Sequence, residues 1–322
     1  MSVLSKPYMH DEAAAFAHVE SIIWPDGPVC PHCGNCGKVY VLTGVRSKPS
    51  KKNPEGVERH GLKKCAECRK QFTVRIGTIF EESHIPLHKW LQAIHLMVSS
   101  KKGISSHQLH RVLEITHKSA WFMSHRIREA MRSDGAVNFG NGGGVVEVDE
   151  TFIGTKQKKA KGARGYAHKN AMLSLVDRTT GRAKSIVVDD VTKATLLPIL
   201  RDNIAKEATV YTDEAKQYTG IDKDFAEHDF TTHSKGEYGR GVVHTNTIEG
   251  YFSIFKRGMK GVYQHCGKKH LHRYAAEFEF RYNNRVAHGV EDAERGLIAL
   301  RGVAGKRLTY RRPNNGFLTV WV

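Results

Sequence analysis

The sequence predicts a multidomain α/β protein, with a thiolate ribbon and short helices first and a mixed α/β domain after them. Three observations predict it. Two C-x-x-C pairs fall within the first 70 residues. Helical periodicity dominates residues 86–132. Beyond a glycine-rich break at 138–144 the pattern turns to strands first and helices last. A length of 322 residues suits two or three domains better than one core, and 40% hydrophobic residues are enough for packed interiors.

The front end opens on a helical stretch, 11–24, followed by the turn-rich WPDGPVCPHCG. Cys30 and Cys33 form one knuckle, and Cys65 and Cys68 the other, with 31 residues between Cys33 and Cys65. Each knuckle lets one tetrahedral ion reach two thiolates, and four thiolates leave no open position for catalysis. The expectation is a structural Zn²⁺ on Cys30, Cys33, Cys65 and Cys68, with Cys36 as an alternative to Cys33. His32 reads as a knuckle side chain and Cys266 as a packed thiol. The basic stretch 46–64 reads as a loop. Phe72, Val74 and Ile76 alternate as in a strand.

From Pro86 the period is helical, with Leu87, Trp90, Leu91, Ile94 and Val98 on one face. A second helix is expected after Ser105 or Ser106, and a third from about Thr116 to 132. Two short helices joined by a tight turn match a helix-turn-helix, and the basic residues of the second, His125, Arg126 and Arg128 among them, are expected to face DNA.

The formal net charge is +17, an imbalance that polyanion binding explains through counterion release. No run approaches the roughly 18 apolar residues of a membrane span, and the first twenty residues lack a secretory pattern. A cytoplasmic protein with no membrane partner is expected, and C-x-x-C pairs there read as metal sites rather than disulfides.

In the second half, VEVDETFIG alternates and AMLSLVDRTTGRAKSIVV is two strands about a turn at Thr180 and Gly181. A helix spans VTKATLLPILRDNI, ATVYTDEA is a strand ending on an acid, and EHDFTTHS reads as a further strand. Two helices follow, in TNTIEGYFSIFKRGMKG and HLHRYAAEFEFRYNNR. Asp149 and Asp213 each sit in a strand among β-branched or aromatic residues, where an acid is costly unless it is exposed or binds a cation. Two such acids suggest a shared site. On the first of the late helices, Glu249 and Lys256 lie about 20° apart around the axis, beside an apolar stripe of Ile248, Phe252, Phe255 and Met259. Asn246, about 60° from Glu249, is the other candidate for the third position. Glu150 should point to the opposite face of its strand from Asp149. Asp189 and Asp190 read as helix-capping residues, and the basic run 156–165 as a hairpin tip or a DNA contact. Three carboxylates are what a two-metal phosphodiester site requires, with hard oxygen ligands favouring Mg²⁺ or Mn²⁺.

These blocks resemble the DDE-type insertion-sequence transposases that carry a zinc ribbon before an ISXO-like transposase domain. The resemblance covers nearly the whole chain. Asp149 and Asp213 match the family's first two acids. Glu249 follows Asp213 after 35 intervening residues, and Lys256 matches the basic residue beyond it. Some relatives carry Asn at the third position, which keeps Asn246 in view. The resemblance implies an RNase H-like fold, Mg²⁺ use, binding of terminal inverted repeats and target DNA as a homo-oligomer, and excision followed by strand transfer. The expected division is 1–80, helix and ribbon; 84–135, helix-turn-helix; 145–290, catalytic domain; 291–322, tail. A nuclease or resolvase that cuts without joining would carry the same acids. A non-catalytic zinc-ribbon regulator would have no need of them.

Overall fold

A computed structural model describes residues 2–308 except Lys52, Asp134, Ala136, 155–165, Ala167, 233–235 and 237–238. The basic run 156–165 therefore lies outside the described residues. The chain divides into two compact units.

The first unit comprises 1–100, 106–131 and 291–322. It opens with helix α1, Glu12–Ile23, capped by Asp11, whose side chain accepts from the Ala14 amide. A small antiparallel sheet follows, β1 (Val39–Val41), β2 (Lys63–Cys65) and β3 (Gln71–Phe72), paired in that order. Cys30, Cys65 and Phe72 form its core, with Trp24, Val39, Cys68 and Ile76 against them. One local expectation holds and one changes. The basic stretch is a loop as far as Leu62, tied across itself where Arg46 pairs with Glu58 and Ser47 N–H donates to Val57 O. The strand expected over 72–76 stops at Phe72, because Ile76 N–H turns back to Thr73 O and Gly77 adopts φ +75°.

Helix α2, Leu87–Ser99, buries the face read from its period, Leu87, Trp90, Leu91, Ile94 and Val98. Pro86 cannot cap it; Glu12 of α1 does, accepting from Leu87 N–H at 2.8 Å and His88 N–H at 3.1 Å. Helices α3 (Ser106–Leu113) and α4 (His117–Met131) are joined by Glu114–Thr116. Thr116 Oγ1 accepts from Ser119 N–H and so caps α4. Helix α8, Asp292–Arg301, packs on α1, α2 and α4, in a stretch expected to be a tail.

Within α4 the structure corrects the expectation for His125, Arg126 and Arg128. All three are buried. Arg126 Nη1 donates to the carbonyls of Ile79 and Glu81, both at 2.7 Å, and Arg128 Nη1 donates to Ser124 Oγ at 3.1 Å. Positive charge on a helix does not say which way it faces; here it satisfies backbone carbonyls of a turn. Among the described residues, the exposed basic groups of this pair are His107, Arg111, His117 and Lys118.

The second unit comprises 101–105 and 132–290. Its sheet has β4 (Val145–Ile153), β5 (Asn170–Asp177), β6 (Ala183–Val188), β7 (Thr209–Asp213) and β8 (Glu227–Thr231), in the order β6-β5-β4-β7-β8. β4, β5 and β6 are antiparallel, while β7 and β8 add parallel to β4. Strand alternation divides two cores. Val146, Val148, Leu173 and Leu175 pack with Leu196 and Leu200 of α5 (Lys193–Asn203) on one face. Met172 and Val176 pack with α6 (Asn246–Gly258) and α7 (Lys268–Asn283) on the other. The α6 stripe Ile248, Phe252, Phe255 and Met259 is buried, as its period requires. Gly258 lies so close to Phe278 of α7 that an added Cβ would approach its ring to 2.3 Å, which fixes a glycine there. A mixed five-stranded sheet with helices on both faces is the arrangement the RNase H-like reading requires. No helix among the described residues is long and apolar enough to cross a membrane.

Replacing Arg126 with alanine leaves two buried carbonyls without their donor. The expected cost is about 2–4 kcal/mol of unfolding free energy, read by denaturant titration, with DNA affinity at subdenaturing conditions unchanged.

Candidate functional site

Two clusters of chemistry-bearing side chains emerge, one in each unit. In the first unit the thiol sulfurs of Cys30, Cys33, Cys65 and Cys68 all lie within 4.8 Å of one another. Cys30 Sγ is 3.6 Å from Cys68 Sγ, and Cys33 Sγ is 3.7 Å from Cys65 Sγ. A tetrahedron with Zn–S arms of ~2.3 Å has edges of ~3.8 Å, so the four sulfurs already have the dimensions of a zinc site. Asn35 Nδ2 donates to Cys65 Sγ at 3.4 Å and steadies that ligand. Cys36 is exposed and outside the cluster, which removes it as an alternative to Cys33. His32 Nε2 faces Gln71 O at 3.4 Å instead. Cys266 packs at the edge of the α6–α7 core.

In the second unit, Asp149, Asp213, Glu249 and Lys256 line one cavity of about 780 Å³. Sheet register explains the first two. Glu147 on β4 pairs with Tyr211 on β7 in the parallel ladder, so two residues on Asp149 and Asp213 lie side by side on the same face. Asp149 Oδ1 accepts from the Glu150 amide at 2.7 Å, and Asp213 Oδ1 from the Ala215 amide at 3.0 Å. Helix α6 lies over that face through its buried stripe, and Glu249 and Lys256 project from its exposed edge.

The electrostatics follow from this crowding. Burial pushes the Asp149 carboxyl up to about 7, and the neighbouring carboxylates of Asp213 and Glu150 push the same way; the Glu150 amide and Lys256 oppose them. Glu150 takes the opposite face, as alternation dictates, beside Gln217 and the buried Tyr218. Burial raises its carboxyl too. Asn246 is exposed at the first turn of α6 and is not among the cavity's lining residues. Asp190 braces the start of α5, accepting from the Thr192 amide at 3.0 Å, while Asp189 pairs with Lys268.

Sequence reasoning missed Arg257, Lys260 and Gly261 among the lining residues, and read Ser253 only as near the Glu249–Lys256 stripe and Phe252 only as packing. Arg257 and Lys260 could have been found, since Arg257 follows Ser253 and Lys260 follows Lys256 by four positions, Lys260 in the turn Met259–Tyr263 that continues α6. Lys256 Nζ sits 5.5 Å from the centre of the Phe252 ring. These three cations line the same cavity as the acids. This is an arrangement suited to holding a phosphodiester over carboxylate-bound cations.

The fold and the thiolate cluster define a zinc-ribbon protein with an RNase H-like domain. Comparison with known proteins narrows the class. Residues 10–71 match the transposase zinc-ribbon domain, and residues 142–283 match the ISXO2-like transposase domain. The chain belongs to this family of insertion-sequence transposases. It is 27% identical over 281 residues to an uncharacterized protein in transposable element ISH50 of Halobacterium salinarum, covering 81% of this chain and 87% of that protein. An uncharacterized transposase-like protein of Haemophilus influenzae is 31% identical over 100 residues, 31% of this chain and 80% of that protein. A cryo-EM structure of simian T-cell lymphotropic virus intasome in complex with PP2A regulatory subunit B56 gamma has a chain that aligns at a TM-score of 0.28 and 12% identity, over 53% of this chain and 63% of that one.

Two outcomes are expected. Metal analysis should find one zinc per chain, lost in Cys65→Ser and kept in Cys36→Ser; the reverse pattern would contradict the cluster. The second concerns pH. A folded-state carboxyl raised above its unfolded value opposes folding once it ionises, so its penalty is absent below about pH 4 and complete above about pH 7. In metal-free protein, Asp149→Asn should raise the thermal midpoint by about 3–6 °C at pH 8 and by less than about 1 °C at pH 4.

Proposed function

We propose that the chain is a DDE-type DNA transposase of the cut-and-paste kind, acting in the cytoplasm on the terminal inverted repeats of its insertion sequence. It cleaves the DNA at those ends and joins them to target DNA. The observation that carries this reading is the lining of one open cavity by Asp149, Asp213, Glu249 and Lys256, with Arg257 and Lys260 beside them. Three carboxylates with hard oxygens and three cations in one cavity suit a phosphodiester better than any small neutral substrate.

In this reading Asp149, Asp213 and Glu249 hold the divalent ions. Bound there, Mg²⁺ or Mn²⁺ would activate the attacking water or 3′-hydroxyl and stabilise the leaving oxygen. Asp149 must be ionised to serve as a ligand, and the approach of a cation favours that form over the proton the crowded carboxylates otherwise retain. Lys256, Arg257 and Lys260 grip phosphates beside the scissile bond. Arg257 is held for that task by Ser253, whose carbonyl and hydroxyl it reaches at 3.1 and 2.9 Å. Glu249 is the third ligand rather than Asn246: a carboxylate binds a hard cation more tightly than a neutral amide does, and Asn246 lies outside the lining.

End recognition falls to the zinc ribbon and to the α3–α4 pair working as a helix-turn-helix, whose exposed Arg111, His117 and Lys118 replace the buried arginines as its DNA-facing groups. The proposed division keeps the ribbon at 1–80, the helix-turn-helix at 84–135 and the catalytic domain at 145–290. Cutting both ends in one event calls for a homo-oligomer assembled on DNA.

The test is an end-cleavage and strand-transfer assay with divalent ions. Asp149→Asn, Asp213→Asn and Glu249→Gln should each lower cleavage by on the order of 10³-fold, the several kcal/mol a metal site supplies, while end-DNA affinity holds. Asn246→Ala should retain most cleavage. Cutting without joining by the wild-type protein would favour a nuclease, and no metal-dependent cutting at all would favour a regulator.

A further inference from the structure

Helix α6 carries Glu249 and Lys256, so the site depends on what holds its first turn. The leading N–H groups of any helix find no partner inside it. Thr245, at the N-cap, makes no side-chain capping bond. The Ile248 N–H instead donates to Glu147 Oε2 at 2.8 Å, from 101 residues away in the chain. Glu147 is fully buried on β4, on the same face as Asp149 and two residues before it. Ile248 immediately precedes Glu249. One hydrogen bond therefore ties the strand that bears the first acid to the helix turn that bears the third.

A buried carboxylate is unfavourable unless it is paired and hydrogen-bonded. Arg178, at the β5–β6 turn, supplies the pair: its Nε reaches Glu147 Oε1 at 2.5 Å. Its other nitrogens grip the segment leading into α6, at Val242 O (2.7 Å), His244 O (2.6 Å) and His244 Nδ1 (2.7 Å). The guanidinium stacks 5.0 Å from the centre of the Tyr211 ring, on the strand that ends in Asp213. The positive end of the α6 dipole adds to the attraction for Glu147. Neither residue lines the cavity.

We propose that Glu147 and Arg178 are positioning residues, a clamp that sets Glu249 relative to Asp149 and so sets how tightly the site holds divalent ions. The inference rests on the reading that these acids are the metal ligands. Glu147→Gln keeps the side-chain length and an acceptor for Ile248 but loses the charge that fixes Arg178. Arg178→Lys keeps the charge and loses the fork.

Three measurements on the full chain test the clamp: Mn²⁺ binding by calorimetry, amide hydrogen exchange over the first turn of α6, and end cleavage across a Mg²⁺ titration. Both variants should bind Mn²⁺ about tenfold more weakly, the usual cost of losing a group that orients a metal ligand. Exchange at Ile248 should quicken by about the same factor, and saturating Mg²⁺ should restore cleavage to within about threefold of wild type. A folded variant with wild-type Mn²⁺ affinity overturns the clamp, as does a loss of cleavage that no Mg²⁺ concentration restores. Should Glu147→Gln fail to fold, Arg178→Lys decides alone by the same criteria. Asp149→Asn is the control that separates the two claims. Equal Mn²⁺ binding by Asp149→Asn and wild type refutes the metal-site reading itself. Loss in Asp149→Asn with no change in the clamp variants refutes only the clamp.

Discussion

Two carboxylates on adjacent parallel strands, Asp149 and Asp213, share one face of the sheet and line one cavity, where burial first and the neighbouring charge second make an ionised Asp149 costly. Water would normally relieve such a pair. Here burial limits that relief, and the Asp149 carboxyl is driven up to about 7. The fold offers partial compensation through the Glu150 and Ala215 amides and Lys256. A divalent cation compensates more fully than any of these, because its charge acts on all the carboxylates at once. In the proposed reading, the cost of assembling the acids in the fold is what a bound divalent ion would offset.

The geometry of that site depends on a carboxylate that does not line the cavity, and the first unit repeats the device on a helix of its own. Glu147 closes the first turn of α6 from a neighbouring strand, and Glu12 closes the first turn of α2 from α1. Neither helix is capped by a side chain at its own N-cap. In both cases a segment distant in sequence satisfies the orphan amides and anchors the helix by its positive end. Each unit thus uses one buried or half-buried acid to fix the orientation of a helix, with an arginine, Arg178 or Arg75, balancing the charge.

Features set by short-range periodicity were legible in the sequence. The C-x-x-C spacing selects the four sulfurs that converge, the alternation of VEVDET puts Glu150 opposite Asp149, and the α6 stripe separates its buried and exposed edges. What failed depended on tertiary context. His125, Arg126 and Arg128 look like a DNA-facing helix because their polarity is visible, while the carbonyls of Ile79 and Glu81 that bury Arg126 lie more than 40 residues away. Residues 72–76 alternate like a strand, but a positive-φ glycine at 77 and a turn at Thr73 end it early. The Glu147–Arg178 pair has no local signature at all: Glu147 reads as one more polar position in an alternating strand, and only the sheet and α6 together reveal its partners.

The central claim is that Asp149, Asp213 and Glu249 form one divalent-cation site. Anomalous diffraction from crystals of the protein with end DNA and Mn²⁺ tests it most directly. The account predicts Mn²⁺ in the cavity, bonded to carboxylate oxygens of Asp149 and Asp213, with Glu249 completing the set. Mn²⁺ bound elsewhere on a DNA-engaged protein, with the three carboxylates free of it, would contradict the account.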